Sequence, residues 1–357
     1  MGGPVHIFLG ANSGEGFYSL YDQLLHGRFD ELLIIKGSPG CGKSSFMRAV
    51  AQELSAAGWE PVYVNCSGDP DSLDGALFPA HKTGLADGTS PHVLEPAYAL
   101  ASERYLDLTR FCSMEAVREA RAEIVARTDA CQAAYADAYR ALRAANALSA
   151  ERRAAVRAAM DFDRLTRRID AIARRELHGK PGKRGRVDYA FLGGMTHKGE
   201  LCRFDTVDAL CPRVYELADS CGLAARALER VRDAAAEAGH DVLVCPDPDR
   251  PREAQHVLIP AAGLAFVTST ARLPYPGEAY RRLRVEAMAE AKLTRAEKAR
   301  LRFTGRVERL LREEAEDALR RAKREHDALE AAYHPFIDFD SVSALAAEEA
   351  RRLLRYR

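Results

Sequence analysis

Apolar residues are spaced along this chain in two rhythms, and the same succession of rhythms occurs twice. HIFLG (6–10) and LLIIK (32–36) are short apolar runs ending at polar or glycine positions, the length and flanks of buried strands. AVAQELSAAGWEPVYV (49–64) reads as a helix, a glycine stop at Gly58 and another strand. GLADGTS (84–90) reads as the next strand. From residue 189 the pattern restarts. YAFLGGMTHKGE (189–200) repeats HIFLGANSGEGF (6–17), with Gly193 on Gly10 and Gly199 on Gly16. RVRDAAAEAGHDVLV (230–244) puts Gly239 on Gly58, and LAFVTST (264–270) follows as its own third strand.

Other landmarks fall in the same order. Asp69-Pro70-Asp71 matches Asp247-Pro248-Asp249, Phe78-Pro79 matches Ile259-Pro260, and MDFDRL (160–165) matches IDFDSV (337–342). The unit is too long for a solenoid repeat and is a duplicated domain. HGKPGKRGR (178–186), rich in glycine, proline and like charge, reads as the linker. The boundaries expected are 1–177 and 187–357.

Strand, helix, strand, strand is the alternation of an α/β layer with a largely parallel sheet. The fold class expected is α/β, two tandem three-layer α/β/α cores. A long helical hairpin follows each, over about 113–177 and 278–357. Ser113 is placed to cap the first hairpin. Val117, Ala120, Ile124, Thr128, Cys131, Tyr135, Ala138 and Leu142 form a narrow stripe suited to pairing with another helix. A break near Asn146 and a cap at Ser149 predict the turn of that hairpin. In the second copy Thr294 and Glu297 make a capping box, and the helix runs to about Tyr333, where Pro335 ends it. The hairpins read as structural packing or as an arm for docking a partner.

Charge narrows the function classes. The 357 residues carry 52 basic and 52 acidic side chains, so nothing calls for nucleic acid or an anionic membrane. No apolar run has the ~18 residues of a membrane span. The eight cysteines form no CxxC pair and no secretory signal opens the chain, so free thiols in the cytoplasm are expected. Basic stretches in both hairpins are interleaved with glutamate, as on solvated helix faces.

GSPGCGKSS (37–45) is the segment with chemistry. Gly37, Gly40 and Gly42 permit backbone angles that side chains forbid, so successive N–H groups can face inward as an anion cradle at the positive end of the next helix. Ser38, Pro39, Cys41 and Ser45 complete the loop. Lys43 brings a mobile charge for β and γ phosphates, and Ser44 a hydroxyl for Mg2+. A second metal anchor is expected on a neighbouring strand, and Asp87, closing TGLAD, is the candidate. Ser90 or His92 could contact the γ-phosphate or orient a water. Asp69, Asp71 and Asp74 in CSGDPDSLDG could hold Mg2+ through water, serve as base for an acceptor hydroxyl, or simply cap a turn. GANSGEG (10–16) lacks the lysine and hydroxyl of a phosphate loop, and Gly14 and Gly16 read as letting that loop pack near the ligand. No guanine-reading Asn/Thr-Lys-x-Asp is present, so ATP is expected over GTP.

IKGSPGCGKSSFM, CSGDPDSLDG and DGTSPH, with FLGANSGEGFYSLYD and the DFD-containing ends, resemble an uncharacterised bacterial family of tandem P-loop ATPases. The likeness spans nearly the whole chain. It implies two P-loop NTPase-fold halves, ATP binding and hydrolysis, with Gly37 to Ser45 on the nucleotide and Asp87 on Mg2+.

This chain departs from a symmetric tandem. At the repeat spacing of 181, Gly37–Ser44 falls on ADSCGLAA (218–225), with Ala224 for Lys43, Ala225 for Ser44 and Thr268 for Asp87. The second loop reads as decayed, and one ATP per chain is expected. The leading reading is an ATPase with Lys43 and Asp87 at its centre and a structural or regulatory second half. A small-molecule or nucleotide kinase using Asp69 to Asp74 for the acceptor, and an ATP-dependent binding switch, are the alternatives. The partner, protein or small molecule, is not named by the residues. An arginine from the second copy or from another subunit of a homo-oligomer could complete the site.

Overall fold

Phe8 and Phe191 hold the same place in the two repeats and hydrogen-bond to each other both ways, N–H to C=O at 2.8 Å. A residue pairing antiparallel with its own counterpart marks a local two-fold axis. The computed structural model describes residues 3–179, 182–290 (Glu290 by its backbone alone) and 292–355, and its two halves are arranged about that axis. Lys180 and Pro181 of the expected linker lie outside the described residues.

The first half runs β1 (Val5–Ile7), β2 (Gly10–Ser13), β3 (Gly16–Ser19), β4 (Glu31–Lys36), α1 (Lys43–Ala56), β5 (Val62–Asn65), β6 (Leu73–Phe78), β7 (Thr83–Asp87), β8 (Glu103–Asp107), α2 (Met114–Glu119), α3 (Arg121–Ala159) and α4 (Phe162–Glu176). The second runs β9 (Val187–Tyr189), β10 (Gly193–Thr196), β11 (Gly199–Cys202), α5 (Phe204–Leu210), β12 (Arg213–Ala218), α6 (Ala225–Glu237), β13 (Val242–Asp247), β14 (Arg250–Ile259), β15 (Leu264–Ser269), β16 (Arg281–Arg284), α7 (Ala287–Glu290), α8 (Arg295–Tyr333) and α9 (Phe339–Arg355). Each half builds a six-stranded sheet, ordered β1-β5-β6-β7-β4-β8 and β9-β13-β14-β15-β12-β16. The α/β class and the tandem arrangement agree with the sequence.

Three local expectations are corrected. The sheets are mixed: β6 runs antiparallel to β5 and β7, and β14 to β13 and β15. The segment read as an acidic loop turns into β6 at Leu73, because all six residues of LDGALF are buried. Gly75 suits the close approach there, since a Cβ would stand 3.0 Å from the Leu85 carbonyl oxygen. The third correction concerns α3, which runs unbroken through Asn146 and Ser149. Polar residues that favour breaks are overridden by packing along the helix. The chain reverses instead at Met160 and Asp161, whose carboxylate caps α4 through the Arg164 N–H. Ser113 caps only the short α2; the Thr294–Glu297 capping box and the stop after Tyr333 are as expected.

The apolar stripe of α3 does find another helix, but across the repeat. α3 and α8 lie antiparallel, each about 58 Å long at 1.5 Å per residue, with Arg127 bonded to Glu325 and Arg300 to Glu151 at opposite ends. Ala138, Ala141 and Leu142 meet Ala315, Ala318 and Leu319, the same positions of the two copies, where small residues let the axes approach.

The terminal helices are exchanged. α4, from the first half, packs Leu165, Ile169 and Ile172 against Leu228 and Val231 of α6. α9, from the second, packs Val342, Leu345, Ala346, Ala350 and Leu353 against Phe46, Met47 and Val50 of α1. The helical cover on that face of each sheet is thus completed by the other half of the sequence. The opposite face of the first sheet is covered by the turn Tyr21–Leu24 rather than by an α-helix, and that of the second by α5. No helix among the described residues is long and apolar enough to cross a membrane.

Candidate functional site

β4 lies between β7 and β8 and hands the chain at Lys36 to residues 37–42, which form a single turn into α1. Gly40 and Gly42 take φ +70° and +86°, the left-handed region that glycine occupies without strain. Gly40 is doubly constrained, because a Cβ there would come within 3.0 Å of the Glu330 backbone on α8. Cys41 is fully buried against Gly37, and burial pushes its thiol pKa up, so it is an inert packing group.

Lys43 is the first residue of α1. Its Nζ donates to the Gly37 carbonyl at 3.2 Å and to that of Ser38 at 3.0 Å, and stands 3.7 Å from Asp87 Oδ2. Asp87 reaches it because β7 pairs with β4 in a register that puts Asp87 beside Ile35. Its other oxygen, Oδ1, accepts from the Thr89 N–H and hydroxyl at 2.8 and 2.6 Å, which fixes the carboxylate. Ser44 Oγ accepts from the Leu73 N–H at 2.9 Å and keeps its own proton to donate. The loop Gly37–Ser45, Lys43, Ser44 and Asp87 are therefore brought to one place.

The structure also sorts the acidic stretch. Asp69 caps its own turn, accepting from the Asp71 N–H and Ser72 hydroxyl, and faces Lys323 of α8 at 3.5 Å. Asp71 pairs with Lys198. Both belong to the contact between the halves. Asp74 instead points inward from β6, buried, with Oδ2 accepting from Tyr21 Oη and 3.2 Å from His92 Nε2. Sequence reasoning missed Tyr21 and Glu330, which no motif marks. Gly14 packs under α3 against Arg143.

Two buried polar atoms beside this cluster, Ser38 Oγ and His92 Nδ1, have no hydrogen-bond partner among the described residues. Burial alone would depress the His92 pKa; the adjoining Asp74 carboxylate outweighs it, and the pKa lies above the ordinary 6.5. The folded protein thus holds a proton that the unfolded chain releases first. The stabilisation is complete below about pH 6.5 and is lost as pH rises through the higher folded value. Thermal melts of His92→Gln against the parent, from pH 5 to 9, are expected to lose that part of the pH slope; an unchanged slope would refute the pairing.

The second loop differs from the first in what occupies it. Lys36 and Ala218 accept equivalent bonds, from the Leu108 and Val285 N–H groups, and they lie 182 positions apart. Val50 and Val231, 181 apart, both enter the helix-side core. The repeat spacing therefore shifts within the helix, α6 having 13 residues to the 14 of α1; like the first loop, 37–42, the second has six residues, 219–224. Its first residue is Asp219. That carboxylate is buried and accepts from the Cys221 N–H at 3.1 Å and the Ala224 N–H at 2.7 Å. It does not stand beside the cradle; it fills it, taking the donors an anion would take. Burial pushes its pKa up, against those N–H groups. A cavity of about 70 Å³ remains alongside, lined in part by Asp247, Asp249, Arg250 and Arg312. Arg312 Nη2 bonds Asp249 at 2.5 Å, and Arg250 is paired with Asp247. Thr268, at the position of Asp87, spends its hydroxyl on the Gln255 carbonyl at 2.7 Å.

No family model matches the sequence, and neither a curated protein nor a solved structure matches it. The resemblance to tandem P-loop ATPases therefore rests on the motifs and the repeat.

Proposed function

We propose that the protein is a Mg2+-dependent ATPase working at one site per chain, with the second half a pseudo-ATPase of structural or regulatory role. The observation that supports it is the contrast between two loops of common descent. One has two left-handed glycines, Lys43, Ser44 and Asp87 converging with unpartnered polar atoms beside them. The other carries its own carboxylate in the cradle.

The residues fit both ligands. N–H groups of the turn and of the start of α1 would hold the β-phosphate, and Lys43 would leave the Gly37 and Ser38 carbonyls for a phosphate oxygen. The Ser44 hydroxyl and Asp87 are the groups to hold Mg2+, which when bound neutralises charge on the transferring phosphoryl group. Lys43 adds a fixed positive charge where negative charge accumulates, and is worth most in a site with little water. Asp74, oriented by Tyr21 and His92, is the carboxylate best placed to orient the attacking water.

The same observations weigh against a kinase. Asp69 and Asp71 are turned to the second half, which leaves Asp74 alone of the three for an acceptor hydroxyl. The contact of Gly40 with Glu330 favours a coupled reading, in which loop closure on nucleotide displaces α8 and makes the enzyme a switch as well. Calorimetry is expected to find one Mg2+-dependent ATP per chain, a component removed by EDTA, and phosphate is expected to be released without added acceptor. Two Mg2+-dependent equivalents would overturn the pseudo-ATPase half. Release only in the presence of a metabolite would overturn hydrolysis.

A further inference from the structure

The glutamate-interleaved sequence of α8 conceals a sorted surface. Lys298, Arg302, Arg306 and Arg309 recur at helical spacing and line one open groove of about 720 Å³, with Arg152 of α3 across from them and Glu286 the only carboxylate among the described residues that line it. Among the described residues Lys298, Arg302 and Arg306 make no ion pair, whereas most other arginines of α3 and α8 are paired with a carboxylate, as Arg309 is with Glu313. Arg152 is paired with Glu308 through Nη1, but its buried Nε has no hydrogen-bond partner among the described residues. The rest of the floor is apolar, formed by Val156, Leu293 and Leu301.

Duplication supplies an internal control. In the long helices the repeat spacing is 177, as the meeting of Ala138 with Ala315 and Leu142 with Leu319 shows. The first-half counterparts of Lys298, Arg302, Arg306 and Arg309 are Arg121, Val125, Asp129 and Gln132, and the counterpart of Arg152 is Leu329. That surface is neutral overall. A solvated helix face would have no reason to become cationic in one copy alone, and in the copy whose phosphate loop is closed by Asp219. The groove reaches that loop at Cys221.

We propose that this groove binds an organic polyphosphate without metal. Guanidinium and ammonium groups that lack a carboxylate partner are matched to phosphate oxygens. The volume falls within the roughly 300–1,000 Å³ of small-molecule sites, and the apolar floor suits a flat organic portion. The site lies on α8 well away from Glu330 and does not depend on the ATPase reading of the first half.

The test uses the full chain in EDTA, without Mg2+, with ATP and inorganic tripolyphosphate as probes in calorimetry. ATP is expected to bind at one equivalent in the parent and equally in Lys43→Ala, and more tightly than tripolyphosphate. The double substitution Arg302→Glu, Arg306→Glu is expected to weaken it at least tenfold while leaving the melting curve and Mg2+-dependent phosphate release intact. No metal-free binding, or binding that survives the charge reversal, would overturn the proposal. So would a single-stranded oligonucleotide that displaces ATP at lower concentration, which would make the groove part of a nucleic-acid surface. Loss of Mg2+-dependent turnover in Lys43→Ala with groove binding retained separates this site from the first.

Discussion

Lys43→Ala should lose Mg2+-dependent ATP binding by about 10- to 100-fold, the 1.5–3 kcal/mol of charge-assisted hydrogen bonds to phosphate. Turnover should fall further, by about 100- to 1,000-fold, because the same charge counts most where negative charge builds up in the transition state. The fold should be unaffected. In the protein as it stands, Lys43 Nζ bonds two loop carbonyls and faces Asp87, which is independently fixed by Thr89. Binding isotherms, phosphate release and a melting curve measured on one preparation check all three. Normal affinity and normal turnover in this variant would remove the basis for the ATPase reading.

A chain ending at residue 337 should fail in its first half, although that half contains the whole phosphate loop. Removing α9 strips Val342, Leu345, Ala346, Ala350 and Leu353 from Phe46, Met47 and Val50. The exposed face of α1 is the helix whose N-terminus carries Lys43. Loss of soluble protein, or of the cooperative melt, is the expected result. A gentler version is Leu353→Ala, with Leu353 4% exposed, where a Leu-to-Ala change in a core costs about 2–5 kcal/mol. Its ATP affinity should fall only in step with the unfolded fraction. A truncated chain that melts cooperatively and binds ATP would show that α9 is dispensable.

Much of this architecture was legible in the order of residues. The repeat, the α/β class, the glycine-rich turn and the convergence of Asp87 on Lys43 follow from glycine placement, apolar runs and strand succession. Three features were not. β6 was hidden because Asp74 and Gly75 look like loop residues, and only the close approach of β7 explains the glycine. Asn146 and Ser149 advertise a turn, yet α3 is held straight by α8, a partner 177 positions away that no local signal reveals. The repeat was in fact readable there, in Ala141-Leu142-Arg143 and Ala318-Leu319-Arg320. Asp219 was visible as a charge near the second cradle, but its role depends on its standing first in the loop, opposite Gly37, which shows only when the strands are aligned by their hydrogen bonds.

The exchange of α4 and α9 has a consequence for how one site could be lost. Cut at the linker, each half would be a protomer whose last helix belongs to its neighbour, which is the arrangement of a swapped homodimer written on a single chain. In such a dimer any substitution strikes both loops at once, and the loss of a lysine removes it from the whole assembly. Joining the protomers breaks that coupling. One loop can close on an aspartate and the helix above it can turn cationic, while the other keeps its lysine and both continue to hold each other folded.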